Sequence, residues 1–170
     1  MSENDPYRRE ALERMKGYFD EERLVTHTMR VLDYGEKILE GEGIKDGFYR
    51  TTVTLGCIFH DIGIPEAMRV HGSADAPYQE KEGPPIARRF LSGMKVRTDI
   101  LERVCYIVAH HHTEEYVDGM DFKVIWEADF LVNVKEGNLM IEPAELPTAG
   151  RENIRSKTGT AFFKDLLKEM

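Results

Sequence analysis

Apolar residues recur along this chain at three- and four-residue intervals almost throughout, and no long strand-like alternation interrupts them. The first helix is predicted from Asp5, with Pro6 in its opening turn, to about Tyr18. A second runs from about Glu21 to Glu40 and stops in Gly41-Glu42-Gly43; a third runs from about Asp46 to His60 and is closed by Asp61-Ile62-Gly63-Ile64-Pro65. Residues 65–81 read as a long loop with at most one helical turn, of the kind that forms lids or binding loops. Helices follow over about Pro84 to Met94, over about Thr98 to His111 and, from an N-cap at Asp121, through about Lys135. Residues 137–150 carry two prolines and two glycines and read as another loop, before a last helix that ends near Leu167. The pattern predicts an all-α protein.

The chemistry lies where polar residues break the apolar stripes. Leu24, Thr28, Val31, Gly35 and Ile38 mark the inward face of the second helix, and His27 lies beside it. The third helix leads through Leu55, Gly56 and Phe59 straight into His60-Asp61. Ile100, Val104 and Ile107 form a stripe whose next members are His110 and His111; Asp129 falls four residues after Ile125, on an apolar face. His112 reads as a solvated helix end. Four helices thus carry His or Asp toward one interior. Burying such groups singly costs several kcal/mol each, about what a shared cation offsets. Imidazole and carboxylate together suit Fe, Mn, Co, Ni or Zn, and neither cysteine lies beside the histidines, so a thiolate zinc site is not indicated.

Composition narrows the partners. The chain has 170 residues, enough for one domain, and 23 Lys and Arg against 31 Asp and Glu leave a formal net charge of −8. No basic excess exists to neutralise phosphates in bulk, so neither nucleic acid nor an anionic membrane is an expected partner. A small phosphorylated ligand is compatible with a few local cations. Cys57 and Cys105 sit within apolar runs and read as buried free thiols in a reducing compartment. With no signal-peptide pattern and no membrane-length apolar stretch, a cytoplasmic location is expected.

The spacing His27, His60-Asp61, Asp129, within VTHTMRVLDYGEKI, LGCIFHDIGIPEA and EADFLVN, resembles the HD-domain superfamily of metal-dependent phosphohydrolases. The similarity covers roughly residues 20–135, leaving 136–170 as a C-terminal loop and helix of the same domain. It implies a bundle of about five core helices, with His27, His60, Asp61 and Asp129 as ligands of one divalent transition metal and Asp61 able to bridge to a second. Six-ligand members add histidines from two further helices. IVAHHH resembles one of those motifs and makes His110 and His111 candidates; EGPPIARRFL resembles the other, but Glu82 stands where the family has histidine, a candidate ligand for a second ion or an ordinary first-turn acid. Ile64 in HDIGI stands where the branch that opens cyclic dinucleotides has lysine, which argues against that substrate class.

The resemblance implies hydrolysis of a small, nucleotide-like phosphoester by a metal-activated water, with Asp61 orienting the attack. Arg30, Arg69, Lys81 and Arg88 are candidate phosphate-facing cations, His71 a candidate general acid, and Tyr78 and Tyr116 candidate stacking partners for a base. Two other readings are an HD-fold di-iron oxygenase, which needs the six-ligand site, and a non-catalytic ligand-sensing domain stabilised by metal. A homodimer would be unsurprising for a helical domain of this size.

Overall fold

The computed structural model describes residues 6–170, so Asp5 lies outside the described residues. Among them the fold is all-α: α1 (Pro6–Tyr18), α2 (Glu22–Gly41), α3 (Gly47–Phe59), α4 (Ile64–His71), α5 (Ala76–Gly93), α6 (Thr98–Val108), α7 (Gly119–Glu136), α8 (Leu146–Asn153) and α9 (Lys157–Glu169). A 3₁₀ turn, Glu114–Tyr116, links α6 to α7. Among the described residues, no helix is long and apolar enough to cross a membrane.

α7 is the axis of the bundle. Phe122, Val124, Ile125, Ala128, Phe130, Leu131, Val132 and Val134 are all buried, so apolar side chains leave it in nearly every direction. α2 and α3 pack on it and on each other, α6 closes the far side of α3, and α5 lies across α4 and α6. α1 covers α3, while α9 packs on α7 and α2. The Glu127 carboxylate, buried on α7, accepts from the backbone N–H groups of Arg155 and Ser156 and from the Ser156 hydroxyl, and so pins the start of α9. On the other side Arg103 of α6 holds buried Asp121 with two bonds of 2.7 Å. Asp121 therefore serves an ion pair inside the first turn of α7 rather than the N-cap, which is Asp118.

One expected loop is largely helical and a second runs into a helix. The segment 65–81 forms α4 and the start of α5, because Pro65 and Pro77 sit in first turns, where a missing N–H costs nothing. α5 then runs on through Pro84 and Pro85. Those prolines remove two helical donors, but Gln79, Gly83, Ile86, Ala87 and Leu91 hold one continuous buried face across them. The contact behind that face is close: a Cβ on Gly63 would stand 2.4 Å from the Gln79 carbonyl oxygen and 2.8 Å from the Gly83 nitrogen. Glycine at 63 lets the turn that carries His60 and Asp61 lie directly on the α5 backbone. The other expected loop, 137–150, ends in α8, again with its proline, Pro147, in the first turn. Both cysteines are buried and free, and burial pushes the Cys105 thiol up to about 11.

Candidate metal centre

Four side chains from α2, the end of α3 and α7 meet in the interior. His27 Nε2 lies 3.1 Å from Asp129 Oδ1 and 3.5 Å from Asp61 Oδ2; His60 Nε2 lies 3.3 Å from Asp61 Oδ2 and 3.6 Å from Asp129 Oδ1. Donors about 2.1 Å from a shared ion stand about 3.0 Å apart around an octahedron and about 3.4 Å apart around a tetrahedron. The observed separations fall in that region. Asp61 faces two ways, because its other oxygen, Oδ1, is 3.4 Å from His111 Nε2. Two groups of donors compact enough to hold an ion result: His27, His60 and Asp129, and Asp61, His111 and His112.

The ring orientations favour a cation. His60 Nδ1 donates to the Cys57 carbonyl and His111 Nδ1 to the Val108 carbonyl, each at 2.9 Å. A carbonyl only accepts, so Nδ1 carries hydrogen in both rings and each Nε2 is turned toward the carboxylates. Both Nε2 atoms are buried without a hydrogen-bond partner. A bare lone pair facing carboxylate oxygens is repulsive, so either a proton or a metal belongs between them.

The electrostatics of the metal-free protein agree. Burial opposes charging His60, yet Asp61 and Asp129 outweigh it and hold the imidazole well above its usual range. Burial likewise opposes protonation of His27, and Asp129 and Asp61 raise it despite His60. The two aspartates respond in the opposite sense: burial would raise them, but the histidines around them hold both carboxyls below the usual carboxylate range. His112 stands at the rim, where desolvation of its ring and the adjacent His111 push it down to about 4.

An outer ring of contacts fixes the inner one. His27 Nδ1 lies 2.9 Å from Glu136 Oε2, and Arg30 donates to Glu136 Oε1 at 2.7 Å. Asn133 donates to Asp129 Oδ1 at 2.9 Å. Asp129, Asn133 and Glu136 stand at i, i+4 and i+7 on α7, a helical spacing present in the sequence although the helix expected there ends at about Lys135. Glu80 accepts from the His112 backbone N–H and the Thr113 hydroxyl, tying α5 to the turn that bears His111.

Several expected site residues lie elsewhere. α6 ends at Val108 and a tighter turn follows, in which the His110 N–H bonds Ile107, so the helical phase that pointed His110 inward is lost. Its ring packs between Tyr106 and Tyr116, and His112 stands in the second donor group instead. Glu82 is outside both groups, bonded to His71 at 2.9 Å with Lys81 3.5 Å away. His71 also stacks on Tyr78, so both expected base-stacking tyrosines have histidine partners of their own. The expected phosphate-facing cations are matched with acids: Arg30 with Glu136, Arg69 with Glu66, Lys81 with Glu82 and Arg88 with Glu102. A cleft of about 240 Å³ opens over His27, Asp61, His112 and Asp129, and the cation on its wall is Arg23, one turn before His27. Ile64, Gln79 and Asn133 line it as well.

An all-α bundle with a buried His/Asp cluster able to hold a divalent metal is the class that these observations define. The chain belongs to the HD-domain family, whose model matches residues 24–144. Among solved structures, the chain is similar to a predicted HD superfamily hydrolase from an uncultured Thermotogales bacterium. The two are 19% identical, with a TM-score of 0.71 over 99% of this chain and 89% of that one, a likeness in fold. No protein of curated function matches the sequence.

Proposed function

We propose that this protein is a metal-dependent phosphohydrolase that cleaves a small, nucleotide-like phosphoester in the cytoplasm. The observation that carries the reading is the convergence of His27, His60, Asp61 and Asp129 with two buried Nε2 atoms left unpartnered. One or two divalent ions (Fe, Mn, Co, Ni or Zn) would polarise a phosphoryl oxygen and lower the pKa of an attacking water. His27, His60 and Asp129 are the residues that would hold the first ion; Asp61 faces both donor groups and would orient the attacking water. Arg23, on the cleft wall, would neutralise a phosphate that enters it. Glu136, Asn133 and the backbone carbonyl of Cys57 keep the imidazoles and Asp129 aimed inward.

A second reading keeps the metals and changes the chemistry. With His112 in place, six His and Asp donors stand together, which is the ligand number an HD-fold di-iron oxygenase needs. Metal content of untagged protein and of Asp61→Ala, by inductively coupled plasma mass spectrometry, followed by a phosphatase screen with and without oxygen, tests both. One or two equivalents of transition metal, lost in the variant, with oxygen-independent release of phosphate, is the expected result. Folded protein that neither carries nor takes up metal would overturn both readings, and turnover only in oxygen would select the second.

A further inference from the structure

A cavity larger than the cleft over the metal centre lies away from it, between α8 and α9. It measures about 600 Å³, inside the range of roughly 300–1,000 Å³ that small-ligand cavities occupy. All of its lining residues fall between 147 and 167, beyond the segment 24–144 that the HD-domain family model matches. The cavity is therefore built outside the segment that carries the metal centre. Its wall is apolar where Ile154, Phe163 and Leu167 meet. Gly150 allows the close packing behind it: a Cβ there would stand 2.0 Å from the Phe163 ring, so α8 lies flat on that ring.

Three cations surround this wall: Arg151, Arg155 and Lys164. Arg151 donates to the Thr148 hydroxyl at 2.8 Å, and Arg155 donates to the Arg151 carbonyl at the end of α8. None of the three has a carboxylate within ion-pairing distance among the described residues, although acids outnumber bases by 31 to 23 along the chain. Glu152, on the same helix, lines the neighbouring cleft beside Trp126 instead. Three like charges held around one apolar hollow, with no internal counterion, match a ligand that has an apolar body and an anionic head.

From this we infer a second ligand site: the α8–α9 cavity binds a small amphipathic anion, its apolar body against Ile154, Phe163 and Leu167 and its charged head among Arg151, Arg155 and Lys164. The inference is independent of the chemistry proposed at the metal centre.

The test uses the full chain and 1-anilinonaphthalene-8-sulfonate as fluorescent probe, displaced by decanoate, decanol or decyltrimethylammonium. Decanoate should displace the probe at one site per chain and decanol more weakly, while the cationic amphiphile should not compete. Arg151→Glu and Lys164→Glu should each weaken decanoate by a few-fold, and the double variant by on the order of tenfold, as exposed charge pairs allow. Thermal melts of the variants confirm that they remain folded. Asp61→Ala should bind the probe as the parent does. Three results would overturn the inference: equal binding of decanol and decanoate with no effect of charge reversal; loss of probe binding in Asp61→Ala, which would put the probe in the metal cleft; and a sedimenting dimer that excludes the probe, which would give the cavity to a second copy of the chain.

Discussion

Removing the Glu136 carboxylate while leaving every inner donor in place tests whether the outer contacts hold the metal centre. In Glu136→Ala, His27 Nδ1 loses its acceptor at 2.9 Å, and the ring is only 5% exposed in the parent. A buried donor left unpaired costs about 1–3 kcal/mol. The ring can escape that cost by rotating, but rotation takes Nε2 away from Asp129 and Asp61. Partners that orient a metal-ligating histidine are typically worth about 10–100-fold in metal affinity, or about 1.4–2.8 kcal/mol. Arg30, released from Glu136, adds an uncompensated positive charge near the ion and acts in the same direction. Competition against a chelating indicator should therefore show metal affinity reduced by at least about tenfold, with Glu136→Gln falling between the variant and the parent because its amide oxygen can still accept from Nδ1. Unchanged affinity in Glu136→Ala would refute the argument that His27 is a ligand oriented by this carboxylate.

Asp129→Ala and Asp61→Ala should each abolish metal-dependent hydrolysis, the second also removing the residue that joins the two donor groups; retained activity in either would contradict the assignment. Metal-free protein should have an unusual pH profile. Asp61 and Asp129 are depressed in the fold, so their contribution is present above the ordinary value of 3.8 and is lost as pH falls. His27 and His60 are raised, so theirs is complete below 6.5 and is lost as pH climbs through the folded values. Melting of chelator-treated protein should therefore be highest between those limits and decline toward alkaline pH, whereas metal should restore most stability at the alkaline end, where the imidazoles are free to ligate. Glu127→Ala strips the acceptor from two backbone donors and the Ser156 hydroxyl and should cost about 2–4 kcal/mol in chemical denaturation. Gly63→Ala should cost about 1–3 kcal/mol from its clash with α5, and a fully stable variant would show that the Gly63–Gly83 approach is not needed.

The sequence by itself determined much of this protein. Helical periodicity and the absence of strand alternation led to the all-α fold, and four polar residues on apolar helix faces (His27, His60, Asp61 and Asp129) pointed to one interior cluster because a buried charge demands a partner. Those signals are local: each needs only the residue and its neighbours at i±3 and i±4. What depended on register across the breaks between helices was not legible in this way. Extrapolating the α6 stripe past Val108 put His110 and His111 inward, whereas a single tightened turn rotates the next residues and brings His112, rather than His110, to Asp61 beside His111.

Proline and glycine misled for a related reason. Pro84 reads as a helix start, yet packing along Gln79, Gly83, Ala87 and Leu91 outweighs two missing hydrogen bonds, an energy that exists only once Gly63 lies against α5. The cations show the limit most clearly. Arg30, Arg69, Lys81 and Arg88 are chemically able to meet a phosphate, but each has an acid beside it and none lines the cleft, whereas Arg23, itself 3.7 Å from Glu21, does. Residue type and helical phase are properties of the chain. Which charges remain uncompensated, and what faces them across a cavity, is settled only when distant helices close on one another.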